Sequence, residues 1–441
     1  MFENVKRLNG ELSNLSHTKI SGIIKSAKGL SLSVEGLNKL ASIGDRCNIK
    51  LKDKNVKGEI VGFDETTSIV MPYDRLDGFS QGLTVTKENI SHPYPHESWL
   101  GRVINYLGEP IDGRGELIKG QIPYPLKNTP PSAFERKQMG ERIDTGMNLF
   151  NTMLPICRGQ RLGIFAGSGV GKSTLLGSFA KHINTDVNVI GLIGERGREV
   201  VDFVKDVLGE EGLKKSIVIV ATSDQTPLAR RQASYLTASV SEFFRDQGKQ
   251  VLCMIDSLTR FAMAQREIGL SAGEPPTTKA YPPSVFPELS SLLERTGPGK
   301  DDGKQGDITG VFTVLVDGDD HDEPISDAVR GIIDGHIVLD RSIAERGRYP
   351  AVNLLKSVSR SLPGCHNDKE NSLLKEARKY LSDFDDMEKM IRMGAYRKGS
   401  DPNTDKAIEL APKIEEIFSQ KLNEKPIHIK DSFDTLSSIL K

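Results

Sequence analysis

The sequence predicts an α/β protein: a parallel sheet covered by helices on both faces, preceded by a small β-barrel and followed by a helical segment. Three observations carry this. From residue 161 onward, short apolar runs alternate with amphipathic helical patterns, the mark of repeated β-α-β units. Between Ser21 and about His96 the apolar rhythm instead has period two, broken by Gly and Asp-Gly turn signals, which fits a small antiparallel barrel or sandwich. After about Cys365 the strand signals stop and polar helical patterns take over. At 441 residues the chain has room for two or three domains. The boundaries expected are 1–20 for an N-terminal extension, 21–96 for the barrel, 97–364 for the α/β core and 365–441 for the helical end.

In residues 1–20, Phe2, Val5, Leu8, Leu12 and Leu15 fall at helical spacing, and Gly10 interrupts them. So short a stripe is not a stable isolated helix. It is either a partner-binding helix or a segment docked on its own domain. In the barrel stretch Leu30, Leu32 and Val34 alternate with polar neighbours, as do Ile49 and Leu51, then Leu83 and Val85, and Asp77-Gly78 marks a turn. Pro123, Pro125, Pro130 and Pro131 indicate a linker or an extended crossing segment. Strands are then expected at 161–165, 187–193, 216–221, 251–255 and 308–316, with a helix over 173–183. Val200, Val201, Val204, Val207 and Leu208 recur at helical spacing, and Gly209 stands where a C′ glycine belongs. Thr226-Pro227 reads as the N-cap and first residue of a further helix. Lys398-Gly399-Ser400-Asp401-Pro402 breaks the helical end.

Composition excludes several function classes. Lys plus Arg total 59 and Asp plus Glu 60, a net charge of −1, so nothing draws the chain generally to nucleic acid or anionic membrane. The start has no apolar signal core, and no apolar run approaches the roughly 20 residues that a bilayer span needs. A cytoplasmic protein is expected. Cys47, Cys157, Cys253 and Cys365 are scattered without a CxxC pair and read as reduced packing residues.

The strongest motif is Ala166-Gly167-Ser168-Gly169-Val170-Gly171-Lys172-Ser173-Thr174, set between a strand and a helix. Its glycines let backbone N–H groups curl around phosphate oxygens, and the helix N-terminus adds positive potential. Lys172 can reach the β and γ phosphates of ATP, and the Ser173 hydroxyl can ligate Mg²⁺. The first position is Ala rather than the usual Gly, which still permits loop closure. A loop of this kind needs a carboxylate at the tip of a neighbouring strand, and the apolar run ending in Asp256 supplies it, as a second Mg²⁺-side ligand or, more blandly, as a helix cap. Gly194-Glu195-Arg196 follows another apolar strand, at the sheet edge where ligands bind, and a carboxylate there can polarise water. The acidic run from Asp317 to Glu323 lacks calcium-loop spacing and reads as a loop near the nucleotide or a subunit interface.

Together these residues resemble the F1/type III ATPase family over nearly the whole chain: N-terminal barrel, RecA-like core, helical C-terminal domain. The resemblance implies that Glu195 is the catalytic glutamate and that Arg196 reaches the γ-phosphate. It implies that Tyr349, in RYPAV, packs on adenine, and that Arg360, in SVSR, is an arginine finger offered to the neighbouring subunit. Read without it, Tyr349 is a core aromatic and Arg360 a surface cation. AGSGVGKST, Asp256-Ser257-Leu258-Thr259-Arg260 and the absence of an acidic DELSEED segment resemble the protein-export branch rather than rotary ATP synthases. Ser359–Cys365 and Met393-Gly394-Ala395-Tyr396 look flagellar rather than injectisome.

The implied protein is a homohexameric ATPase energising type III export at the inner face of the cytoplasmic membrane. A stator-like regulator is expected on residues 1–20 and a coiled-coil stalk in the pore, with export-gate proteins, chaperones and substrates as further partners and no nucleic acid. The loop from Gly273 to Pro283 is the candidate pore-facing segment, although its prolines equally suit an ordinary rigid loop. The alternatives are an injectisome ATPase, a rotary ATP synthase subunit, an RNA-translocating ring and a silent ring member. Neutral charge disfavours the RNA reading, and Lys172, Glu195 and Asp256 together disfavour silence.

Overall fold

The computed structural model describes residues 19–88, 92–316, 323–421 and 424–441. The apolar stripe of residues 1–15 and the acidic positions 317–322 lie outside them.

The N-terminal unit is a closed six-stranded antiparallel barrel. Its strands are β1 (Ser21–Lys28), β2 (Ser31–Glu35), β3 (Arg46–Lys50), β4 (Asn55–Phe63), β5 (Thr67–Pro72) and β6 (Thr84–Glu88), in the order β1-β2-β5-β4-β3-β6, with β6 closing on β1. Leu32, Val34, Ile49 and Val85 point inward and are completely buried, as their period-two spacing requires. Leu30 departs from that pattern. It sits in the turn between β1 and β2 and is exposed, because a two-residue connection ends the alternation. Irregularities at Ile24/Ser26 and Ile60/Gly62 bend the sheet on itself.

The second unit contains β7 (Val103–Asn105), β8 (Arg161–Ala166), β9 (Val187–Glu195), β10 (Ser216–Thr222), β11 (Val251–Asp256), β12 (Gly297–Pro298), β13 (Asp307–Leu315), β14 (Gly335–Leu339) and β15 (Val352–Ser359). They form one sheet in the order β15-β14-β8-β13-β11-β9-β10-β7, with β12 paired beside β13. All pairs along that path are parallel except β14–β15. The central strands are continuous apolar runs because helices cover both faces. Helix α1 (Lys172–His182) buries Leu175, Leu176 and Phe179, the last in an edge-to-face contact with Phe150 at 4.9 Å. Each such side chain contributes roughly 1.5–3 kcal/mol by leaving water.

Gly209 ends the π-helical turn over Phe203–Leu208 with φ 66°, the conformation expected of a glycine at that position, and a further turn over Gly209–Lys214 follows directly. Before the π-helical turn Val200 is buried while Val201 is exposed, because adjacent residues on a helix point about 100° apart. The proline-rich stretch is an extended segment held on the core rather than a loose linker. Tyr124 meets Phe243 edge-on at 5.5 Å on helix α2 (Pro227–Asp246), and Asn128 donates to Glu242 at 3.0 Å. The fully buried Arg295 completes this clamp, donating to both Glu242 carboxylate oxygens at 2.8 Å and to the Leu126 carbonyl.

Helix α3 (Leu258–Ser271) follows β11. The helical end comprises α4 (Asp368–Arg392), α5 (Pro402–Ile417) and α6 (Ile429–Leu440). Asn367 and Glu370 form a reciprocal capping box for α4, and Asp401 caps α5 ahead of Pro402, so the break at 398–402 is a helix start. Leu374, Ala411, Ile414 and Leu436 belong to the same hydrophobic cluster as Phe150, Leu176 and Phe179. The helical end therefore shares the core of the sheet. Gln420 fastens it: its backbone N–H donates to the Tyr349 carbonyl at 2.7 Å and its side chain to the Gly146 carbonyl at 2.8 Å.

Candidate functional site

The chain leaves β8 at Ala166, curls through residues 167–171 and enters α1 at Lys172. Gly169 (φ 78°) and Gly171 (φ 90°) occupy the left-handed region, so this curl needs glycine at both positions. Val170 is buried and pins the loop, and Arg341 donates to the Ser168 carbonyl at 3.3 Å. The loop N–H groups and the first turn of α1 border a cleft of about 480 Å³, lined among others by Gly167, Lys172, Ser173, Glu195 and Arg260.

Three strands meet there through their carboxyl ends. Lys172 Nζ donates to Glu195 Oε1, at the end of β9, at 3.1 Å and to Asp256 Oδ1, at the end of β11. Thr313 on β13 donates to the same Asp256 oxygen at 2.7 Å, so that carboxylate is held from two sides. Burial works against the charge of Lys172, but the Asp256 and Glu195 carboxylates outweigh it and hold the ammonium above its usual pKa. Burial, and then the Asp256 charge, push the Glu195 carboxyl up to about 7, with Lys172 opposing them. A carboxyl poised near neutrality beside a phosphate loop can accept a proton from water. Ser173 and Asp256 offer oxygen donors of the hard type. Among the described residues no group of three or more His, Cys, Asp or Glu gathers as a metal cage.

The other expected residues lie further out. Arg196 borders the same cleft, yet its side chain is 82% exposed and pairs with Glu199 at 3.6 Å, so it stands at the mouth. The Tyr349 ring rests on the loop: a Cβ on Gly171 would come within 3.2 Å of it. That ring is 38% exposed and is not the buried core aromatic of the bland alternative. Arg360 is at the opposite end of the sheet. Its N–H donates to the Asp334 carbonyl at 3.0 Å, and the Asp334 N–H donates to Arg161, the first residue of β8. The loop leaves from the last residue of that strand, about 16 Å away at the ordinary rise per residue.

Arg260 is a cleft residue to which the sequence reading gave no role. Its stem packs on Gly194, where any Cβ would fall 2.7 Å from Arg260 Cγ, and its buried Nε has no hydrogen-bond partner among the described residues. The signal was present in Asp256-Ser257-Leu258-Thr259-Arg260, but only the adjacency of β9 and β11 turns this arginine toward Glu195.

The comparisons with known proteins follow the same architecture. Residues 24–89 match the beta-barrel domain of the ATP synthase alpha/beta family, 146–359 its nucleotide-binding domain, and 367–438 the T3SS EscN ATPase C-terminal domain. The flagellum-specific ATP synthase of Caulobacter vibrioides is 54% identical over 429 residues, covering 96% of each chain. The chain belongs to the ATP synthase alpha/beta family, in its type III export branch. As such it is a nucleotide-binding, ATP-hydrolysing enzyme that energises type III export. The assembled ATPase EscN of the enteropathogenic E. coli type III secretion system superimposes on this export ATPase with a TM-score of 0.87 at 34% identity, over 95% of this chain and 100% of that one. EscN in complex with its central stalk EscO does so at 0.85, with the same coverage. No helix among the described residues of this family member is long and apolar enough to cross a membrane.

Proposed function

We propose that this ATPase drives flagellar protein export as a ring of identical subunits, with each active site completed by the neighbouring copy. The observation that carries this is the split of the expected machinery between the two ends of one sheet. Lys172, Glu195 and Asp256 converge at the carboxyl end, while Arg360 sits at the amino end, out of reach of its own cleft. Lys172 would grip the transferring phosphate, and Glu195 would take a proton from the attacking water. Arg360 would stabilise charge on the phosphoryl group of the adjacent subunit, and Tyr349 would bear the adenine.

The site suits Mg²⁺ carried by a nucleotide. Ser173 lies in the first turn of α1 beside the loop, and the Asp256 carboxylate is already positioned by Thr313. Few protein ligands with the rest from phosphate and water is the arrangement that ion favours. Bound there, the ion would neutralise phosphate charge.

The assembled EscN supports the ring, and EscN with its stalk supports a coiled-coil partner in the pore. A regulator on residues 1–20, the export gate with its chaperones and cargo, and a position at the inner membrane face complete the reading. The flagellar branch rests on the 54% identical relative, against 34% for EscN. The injectisome reading keeps the support of the EscN-type C-terminal match. Glu195→Gln tests the chemistry: ATP binding should stay near normal while hydrolysis is lost, and near-normal turnover would remove Glu195 from the catalytic role. Restored motility in a flagellar-ATPase-null cell decides the branch.

A further inference from the structure

Phe134 is the most exposed large apolar side chain among the described residues, with its ring wholly in water. A single apolar residue at a surface is ordinary. This one differs in how it is held and where it stands. It sits on a turn in which the Glu135 N–H donates to the Ser132 carbonyl at 3.0 Å, and Arg136 Nε closes the base by donating to the Pro131 carbonyl at 3.0 Å. The Arg136 side chain is largely buried and also donates to the Glu294 and Thr296 carbonyls. Its backbone forms a β-bridge with Lys300, flanked by hydrogen bonds from Lys137 N–H to the Gly299 carbonyl at 2.9 Å and from Asp301 N–H to the Glu135 carbonyl at 2.8 Å. Pro130 and Pro131 stiffen the approach. A fixed backbone therefore presents the ring, and covering it costs little ordering.

The turn belongs to the amino end of the sheet. Lys137 Nζ pairs with Asp307, the first residue of β13, at 3.0 Å. Glu294 joins Arg136, at 3.5 Å, to Arg161, the first residue of β8, at 2.6 Å. Arg161 pairs in turn with Asp334 at 3.1 Å, and the Asp334 carbonyl accepts the Arg360 N–H. A run of ion pairs thus leads from beneath Phe134 to Arg360. Strands β15, β14, β8 and β13 stand side by side in that order, so this end spans roughly three strand spacings, about 14 Å. A stable interface takes about 800 Å² from each partner, a patch roughly 30 Å across. Phe134 and Arg360 fit within one such patch. Met139, five residues after Phe134, and Val358, two before Arg360, are exposed apolar side chains of the same two segments.

We propose that Phe134 anchors the contact between neighbouring copies of this chain, its ring packing beside Arg360 against the face of the next subunit that bears the nucleotide cleft. This anchoring presupposes the ring proposed above. A ring joins unlike faces of identical subunits. The surface around Arg360 then meets the surface around the next cleft, and aromatic side chains are the residues most often found as anchors of such contacts. Phe134 touches neither the nucleotide nor the reacting groups. It acts through assembly: its removal raises the concentration at which subunits join and leaves each completed site as fast as before.

Wild type, Phe134→Ser and Phe134→Leu are compared over a series of protein concentrations, by sedimentation velocity with Mg²⁺ and a non-hydrolysable ATP analogue and by ATP turnover per subunit. In Phe134→Ser the concentration for half-assembly should rise about ten-fold or more. Turnover should fall at low concentration and return to the wild-type value per subunit at high concentration. The melting temperature of the dissociated chain should not change, because the ring buries nothing within it. Phe134→Leu keeps an apolar side chain and should assemble close to wild type. If Phe134→Ser assembles as readily as an assembling wild type, the anchor is overturned and the ring stands. Turnover that stays low where Phe134→Ser is fully assembled also overturns it, since the residue would then act on the site. A wild type that stays monomeric, with turnover per subunit independent of concentration, removes the ring and the anchor with it.

Discussion

The two ends of the central sheet solve opposite problems with the same kinds of residue. At the carboxyl end Lys172 is buried and engaged with two carboxylates, so its position is set by strong local pairs. At the amino end Arg360 is exposed, with a long contact to the Arg330 carbonyl at 3.4 Å, and among the described residues little else holds the guanidinium. On the proposed reading, a cation that serves its own subunit is fixed by that subunit, and one that serves a neighbour is left presentable. Substitutions at the two ends should accordingly separate activity from stability.

The largest effect is expected at the exposed end. An arginine finger contributes about 10³ to 10⁵ in rate, so Arg360→Ala should nearly abolish turnover while its melting temperature changes little, as for most surface substitutions. Mixing Arg360→Ala with Glu195→Gln sharpens the point. If the finger acts across subunits, about a quarter of the interfaces in random mixed rings carry both intact groups, and activity reappears. Silence after confirmed subunit exchange would place the arginine in its own site.

Lys172→Ala should do what Arg360→Ala does not. It leaves Glu195 and Asp256 buried together without their cation, a loss of about 3–5 kcal/mol for a broken buried pair. Thermal unfolding of the nucleotide-free protein should show this, and nucleotide titration should show weakened binding as well. Equal stability of the two variants would erase the contrast between the ends.

A smaller effect concerns pH. The folded Glu195 carboxyl titrates at about 7, above the ordinary carboxylate value. The folded state therefore holds a proton that the unfolded chain releases earlier, and the contribution of Glu195 to stability falls as pH rises from about 4.5 to about 7. Glu195→Gln carries no such charge, so its melting temperature relative to wild type should rise over that window and level off above it. A flat difference would mean that the carboxyl titrates normally. The smallest change is expected from Tyr349→Ala, about ten-fold in apparent ATP affinity for the loss of one stacking surface, with turnover at saturation nearly kept.

What the sequence disclosed and what it withheld follow one physical division. The loop from Gly167 to Thr174 was legible because positive φ demands glycine and the charge chemistry demands lysine, both local requirements. Asp256 was legible because a strand covered on both faces must be apolar until it ends. Leu30 was misread because a period continues in sequence after the backbone has turned, and Val201 because an apolar residue beside a buried one on a helix need not share its face. Arg260 stayed hidden because its meaning lies in strand order, which brings β9 beside β11. The shared core of the helical end was equally silent, since an amphipathic helix does not name the surface that it covers.

The double engagement of Lys172 also bears on what the cleft accepts. An anion arriving alone must compete with two carboxylates that already neutralise the only lysine of the phosphate loop. A single small anion offers too little to displace both. A polyphosphate that brings several oxygens to the loop N–H groups, and a cation to take over Asp256, exchanges each broken contact for a new one. By this exchange the site is expected to act as a threshold filter, passing over background phosphate and responding to a whole nucleotide.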